Sequence, residues 1–340
     1  MKLETSERLL VEELFLKSKS KDSKLVQVEN VEKLTGDAST RRYYRVYSEG
    51  VSYVACLDTP NSENTENNFL TLQRVLNDEG VRVPKIIDRD LTKGYILQED
   101  LGDATFLKEL PPMSELEEFD FYKSAIDLVA KIHLIDTNKY GAEKFTQLSF
   151  DFEKLFSEME FSKKFFLHRF LGVNPESMEV KKLYLELGKI CRDLEQLPRV
   201  LVHRDYHSRN LMIKNKEQVV IDFQDARMGT PLYDIASLLD DCYYQLVPEN
   251  KLKLQKYYYD LYYSKVTTET FEQFVRHYDL MTIQRVYKAI GSFAYIYADR
   301  SDLRYVKYIG FAFEKLRSVL MKYPEFNNAR TILSGLYYAN

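Results

Sequence analysis

Hydrophobic and polar positions change their spacing twice along this chain. Residues 1–16 mix Leu and Val with Glu, Arg and Lys as an amphipathic helix does, and the Lys/Ser-rich residues 17–24 read as a surface loop behind it. Between about residues 26 and 98 the apolar runs become short and β-type. Residues 43–47 and 52–57 are rich in aromatic and β-branched side chains, which predicts strands. A helix is predicted over residues 65–79, where Phe69, Leu72, Val75 and Leu76 recur at helical spacing until Gly80 stops it. Pro84 opens an extended segment, and Tyr95, Ile96 and Leu97 form another short strand. The predicted order is three strands, one helix, two strands.

Beyond Leu101 the spacing is mostly helical. Ser114 with Glu117 makes a capping box ahead of the stripe Phe121, Ile126, Val129 and Ile132. Further helices are predicted near residues 152–166, 179–194, 232–244, 251–263, 269–289 and 305–322. One island breaks the pattern: residues 200–202, 211–213 and 219–223 are short β-type runs with polar residues between them. These patterns predict an α+β fold of two lobes. Residues 1–100 form a small β-rich lobe and residues 101–340 a larger helical lobe that contains the island.

The composition narrows the field of functions. The 340 residues are 45% hydrophobic and 29% charged, with a net charge of −4 spread through the chain. There is no basic field for nucleic acid or an anionic membrane, so neither is expected as a partner. Apolar runs fall far short of the roughly 18–20 residues that span a bilayer, and the N-terminus lacks the basic head and apolar core of a signal peptide. Cys56, Cys191 and Cys242 are odd in number and scattered, which argues against disulfides or a zinc site and for reduced thiols in a cytoplasmic protein.

The island carries the candidate chemistry: H-R-D-Y-H-S-R-N at residues 203–210 and I-D-F at residues 221–223. Phosphoryl transfer needs a carboxylate to orient or deprotonate the acceptor hydroxyl and hard oxygen ligands for magnesium on the ATP phosphates. One loop and one neighbouring strand supply both. The spacing resembles the catalytic loop and D-F-G segment of protein-kinase-like enzymes.

The longer runs H-R-D-Y-H-S-R-N-L-M, V-I-D-F-Q-D-A and G-x-P-x-Y-D-I-A-S-L-L, followed by D-C-Y, resemble the aminoglycoside-phosphotransferase-like superfamily. Within it they look most like the bacterial anomeric N-acetylmuramate/N-acetylglucosamine kinases of cell-wall recycling. G-D-A-S-T-R-R-Y at residues 36–43, L-D-T-P at 57–60, Q-E-D-L-G-D at 98–103, and Arg285, Lys288, Gly291, Phe293, Asp299 and Arg300 extend the likeness over most of the chain. The resemblance implies a two-lobed protein-kinase-like fold using ATP and Mg2+, with an N-terminal lobe that clasps ATP and a C-terminal lobe that binds an amino-sugar acceptor. It implies Asp205 as catalytic base, Asn210 and Asp222 as magnesium ligands, and His203 and Asp234 as braces of the loop. It implies a phosphate loop around Gly36, Ser39 and Thr40, and an adenine hinge at Gln98, Glu99 and Leu101. Arg209 is open to two roles, stabilising the moving phosphoryl group or a structural ion pair. Arg285, Lys288, Asp299 and Arg300 are candidates for the acceptor site.

Two departures from protein kinases stand out. The strand-three run V-A-x-K reads Val54-Ala55-Cys56-Leu57 here, so the phosphate-gripping Lys is replaced by Leu57; Arg41, Arg42 and Arg45 are the candidate substitutes. Gln224 stands where the D-F-G glycine would be, and Pro231-Leu232-Tyr233-Asp234 follows Asp222 with no room for an activation segment. Small-molecule rivals remain open, an aminoglycoside, choline or another alcohol, with Asp240 and Asp241 in favour of a cationic acceptor. A pseudokinase that only binds nucleotide is the rival motivated by the lost lysine.

Overall fold

The computed structural model describes residues 2–19, 27–34, 41–61, 66–141 and 143–339. Two compact units emerge. One contains the described residues up to Asp78 with Arg82–Ala104 and Met212–Ile221; the other contains Glu79–Val81, Thr105–Leu211 and the chain from Asp222 on. The division therefore differs from a single cut at residue 100. It falls near residue 104, and the later hairpin is returned to the first unit.

The first unit is a five-stranded antiparallel sheet. Strands β1 (Val28–Leu34), β2 (Arg42–Ser48), β3 (Val51–Leu57), β4 (Ile86–Asp90) and β5 (Tyr95–Glu99) lie in the order β1-β2-β3-β5-β4. Glu49 and Gly50 both take positive φ, as a two-residue hairpin between β2 and β3 requires. Alternation along β2 sends Tyr44 and Val46 to one face, against Val11, Leu14 and Phe15 of the helix Lys2–Lys19. The other face presents Tyr43 and Cys56 to Leu70 of the helix Asn68–Asp78. The predicted strand and helix order holds. A later hairpin, β7 (Leu211–Lys214) and β8 (Glu217–Val220), packs Met212 and Val219, with Ile221 just beyond it, on Leu101. Strand β6 is the short strand Val200–Val202 of the second unit, paired with β9 (Arg227–Gly229), which the sequence pattern did not reveal.

The second unit is helical. The capping box at Ser114 and Glu117 is present and starts the helix Glu115–His133. The helix Phe271–Arg300 runs through the middle of the unit, buried from Phe274 to Ala294 on most of its positions. It packs against the helices Phe152–Ser162, Leu232–Leu239 and Val306–Leu320. It is longer than the predicted segment because its apolar stripe continues through Ile290, Phe293 and Ala294 past Gly291. The helix Leu232–Leu239 is shorter than predicted. Asp240 and Asp241 leave the helical path, and the Asp241 carboxylate caps the Tyr243 N–H at 2.9 Å.

Candidate active site

The loop of residues 203–210 follows β6 and is fixed by two buried carboxylates from the helix Leu232–Leu239 and the turn behind it. Asp234 is fully buried. It accepts the backbone N–H of His203 at 2.7 Å and of Arg204 at 2.9 Å, and His133 Nε2 at 3.1 Å. The second nitrogen of His133 meets the Tyr258 hydroxyl at 2.8 Å. These bonds hold Arg204 at φ +84°, a conformation that costs a side-chain-bearing residue on the order of 1 kcal/mol or more. Asp241 holds the far end of the loop, accepting the Ser208 N–H at 3.0 Å and the Ser208 hydroxyl.

Between these anchors Asp205 projects into a pocket lined also by His207, Ser237, Tyr243, Arg285, Lys288 and Phe293. Its Oδ1 lies 3.2 Å from Lys288 Nζ and 3.3 Å from Arg285 Nη2. Arg285 is steadied by the Ser237 hydroxyl at 2.8 Å. Burial alone would push the Asp205 carboxyl up, but Lys288, Arg285 and Arg204 hold it well below the ordinary range. Asp205 is therefore an anion at neutral pH. Burial also pushes the His207 imidazole down to about 4, so that ring is neutral. Asp240 borders the same pocket but is consumed by the protein: Lys251 sits at 2.6 Å, Lys315 at 3.9 Å, and the Tyr278 hydroxyl at 2.6 Å.

Asn210 and Asp222 meet beside Asp205. The Asn210 amide donates one N–H to the Asp205 carbonyl at 3.0 Å and the other to Asp222 Oδ2 at 3.2 Å. Both amide hydrogens are thus spent, and the amide oxygen is the atom left to ligate. Asp222 lies just past β8 at φ +63° and not within the strand, and Gln224 Nε2 donates to its Oδ1 at 2.7 Å. Gln224 thus locks this segment where glycine would loosen it. Burial, with the Asp205 charge nearby, raises the Asp222 carboxyl, a strain that a cation would relieve. Among the described residues no group of three or more His, Cys, Asp or Glu is placed to hold a metal. An amide oxygen and a carboxylate fit magnesium nevertheless, because that ion keeps several waters and takes phosphate oxygens as ligands.

The remaining expected site residues separate into those brought here and those not. Arg209 turns aside: its guanidinium lies 4.9 Å from the Tyr243 ring centre and 5.2 Å from that of Tyr305, whose hydroxyl it reaches at 3.0 Å. Asp299 and Arg300 sit at the exposed end of the helix Phe271–Arg300, with Asp299 3.9 Å from Arg169, and do not line the pocket. Eleven residues of helix place Asp299 roughly 16 Å along the axis from Lys288. Gly36, Ser39 and Thr40 lie outside the described residues. Leu57 is buried against the N-terminal helix and carries no charge inward. Each candidate replacement for the strand lysine has a carboxylate partner: Arg41 with Asp58 at 2.8 Å, Arg42 with Glu7 at 2.8 Å, and Arg45 with Asp100 at 2.7 Å. Gln98 and Glu99 close β5, and Glu99 bonds Arg82 at 2.6 Å. Sequence reasoning gave no loop-bracing role to His133 or Asp241 and no role to buried Glu158, which lies 3.7 Å from Arg204 and accepts the Tyr233 hydroxyl at 3.2 Å.

Residues 30–264 match the model of the phosphotransferase enzyme family. The N-acetylmuramate/N-acetylglucosamine kinase of Pseudomonas aeruginosa is 30% identical over 305 residues, 89% of this chain and 87% of that protein. The same-named kinase of Neisseria meningitidis is 29% identical over 85% of each chain. Among solved structures, the ADP-bound aminoglycoside phosphotransferase APH(2'')-Ib superposes with a TM-score of 0.59 at 17% identity, covering 90% of this chain and 95% of that one. The choline kinase LicA from Streptococcus pneumoniae gives 0.60 at 16% identity, covering 92% and 99%. At such identities these two likenesses speak for the shared kinase-like fold alone.

Proposed function

Because this chain belongs to the phosphotransferase enzyme family and is an ATP-dependent small-molecule kinase, we propose that it phosphorylates the anomeric hydroxyl of an N-acetylated amino sugar. N-acetylglucosamine and N-acetylmuramate are the acceptors the curated relatives' names suggest, and a place in cytoplasmic cell-wall recycling follows from that reading.

The observation that carries the acceptor class is the charge balance of the Asp205 pocket. Asp240 is neutralised by two lysines, Asp241 is spent on the catalytic loop, and Asp205 itself faces Lys288 and Arg285. A cationic acceptor would meet two buried cations and no uncommitted carboxylate. This speaks against an aminoglycoside or choline, and for a neutral or anionic sugar. The intact Asp205, Asn210 and Asp222 speak against a pseudokinase, which has no need of a base.

In the proposed reaction the Asp205 carboxylate accepts the hydrogen of the acceptor hydroxyl and aims its oxygen at the γ-phosphorus. As the new P–O bond forms, the bond to the ADP oxygen breaks and the hydroxyl proton passes to Asp205. A carboxylate held this acidic is a weak base, which suits a loose transition state that demands little proton removal before bonding is advanced. Asn210 and Asp222 would hold the magnesium ion, which supplies neutralisation of the phosphate charge. Residues 98–101 would meet adenine through their backbone, and Arg285 and Lys288 would hold Asp205 and face the acceptor.

The test is ADP release with Mg·ATP against N-acetylglucosamine, N-acetylmuramic acid, kanamycin and choline. Turnover on an N-acetylated sugar that yields an acid-labile phosphate supports the proposal. Turnover on kanamycin or choline alone would replace the acceptor, and silence on all four would favour the pseudokinase.

A further inference from the structure

His207 lies two residues past Asp205 and lines the same pocket, yet the reaction as derived gives it no task. Its ring is fixed on two sides. The Arg209 backbone N–H donates to His207 Nδ1 at 3.3 Å, so Nδ1 is an acceptor and the ring proton sits on Nε2. The ring stands edge-on to Tyr243, with centroids 5.4 Å apart and planes at 62°. The imidazole makes no other hydrogen bond among the described residues. It therefore leaves one N–H donor at a pocket that Tyr243 and Phe293 also line, the two rings 5.7 Å apart.

We infer that His207 Nε2–H, with the Tyr243 and Phe293 rings, forms the subsite that reads the 2-acetamido group of the acceptor. This rests on the amino-sugar reading above. Once the C1 hydroxyl is seated on Asp205, the substituent on the adjacent ring carbon lies within a few ångströms of the same loop. An acetamido group offers a carbonyl oxygen that wants a donor and a methyl that wants an apolar wall. The pocket supplies a donor of fixed tautomer and two aromatic faces in neighbouring positions. Arg285 and Lys288, on the remaining side, disfavour the free ammonium of an unacetylated amino sugar.

The experiment compares kcat/KM for N-acetylglucosamine and 2-deoxyglucose, the same sugar without the acetamido group, in wild type, His207→Leu and His207→Gln. Wild type is expected to favour N-acetylglucosamine, and His207→Leu to reduce that preference by on the order of 10- to 100-fold, the weight of one lost specific hydrogen bond. His207→Gln, whose amide N–H can reach the Nε2 position, is expected to retain most of it. A preference unchanged in His207→Leu would overturn the inference, as would a wild-type enzyme that turns over both sugars equally well, a result that needs no variant to fold. Failure of wild type to use N-acetylglucosamine at all would instead strike the acceptor assignment, which keeps the two claims apart.

Discussion

In the proposed reaction the proton step falls to the Asp205 carboxylate, and its neighbours Lys288 and Arg285 determine what a substitution there removes. Asp205→Asn keeps the shape of the side chain and can still bond Lys288 and Arg285, but it cannot take the hydroxyl proton. Turnover is expected to fall on the order of 1000-fold while the ATP dissociation constant stays put. A rate within tenfold of wild type would remove Asp205 from its role. Asp222→Ala belongs to a different step. It removes the carboxylate and leaves the Asn210 amide oxygen to hold the metal, so magnesium-dependent ATP binding is expected to weaken at least tenfold, and titration of ATP with and without the metal checks it. The sequence pointed to these three residues because a loop and the strand end after it impose a fixed spacing, and the structure brings them together. Arg285 and Lys288 were legible as candidates on one helix turn, and the structure brings both to Asp205. Asp299 and Arg300 were read with them and lie at the exposed helix end, since helix geometry separates what sequence proximity joins. Asp241 and His133 left no such trace. Their partners are 33 and 101 residues away, and a contact across that separation leaves no periodic or spacing signal.

At the scale of elements, the loop is held by helix placement, so a packing change remote from the chemistry should be felt there. Gly291 lies where the helix Phe271–Arg300 crosses Phe152–Ser162. A Cβ at this position would come within 2.7 Å of the Ser162 Cα. The contact is backbone, so relief requires the helices to part. Gly291→Ala is expected to destabilise the protein by about 1–3 kcal/mol, despite alanine's better helix propensity, and to lower the midpoint of thermal unfolding. An unchanged or higher midpoint would show that the crossing has slack. Asp234→Ala acts on the same frame from another side. It strips the partners from two buried backbone N–H groups and from His133, and it releases the positive φ of Arg204. A loss of about 2–4 kcal/mol is expected, together with a fall in kcat larger than any rise in the ATP KM. Helix ends were less legible than helix cores. The Leu232–Leu239 helix stops early because the Asp241 side chain turns to Ser208 and Tyr243, and a tertiary hydrogen bond of that kind is invisible to local propensity.

For the molecule as a whole, the two-unit architecture and the succession of strands and helix along the chain could be read from period changes, whereas the order of strands in the sheet and the return of the hairpin Met212–Ile221 to the first unit could not. Both units also share a thermodynamic trait, a carboxylate made acidic by its setting. Burial would push Asp240 up, yet Lys251 and Lys315 bring it down to about 2. Burial opposes likewise at Glu99, where Arg82 and the Lys85 N–H bring it to about 2. In the unfolded chain such groups titrate near 4. On acidification the unfolded state therefore binds these protons first. The stability they contribute is complete above about pH 4 to 5 and drains away as the pH falls toward 2. For the fully buried Asp240 that contribution is about 2 kcal/mol. Asp240→Asn should consequently be less stable than wild type at pH 6, and the gap should close as urea unfolding is repeated down to pH 2.5. No gap at pH 6 would mean that Asp240 is held by its hydrogen bonds to Tyr278 and Thr282, which asparagine can share, and not by its charge.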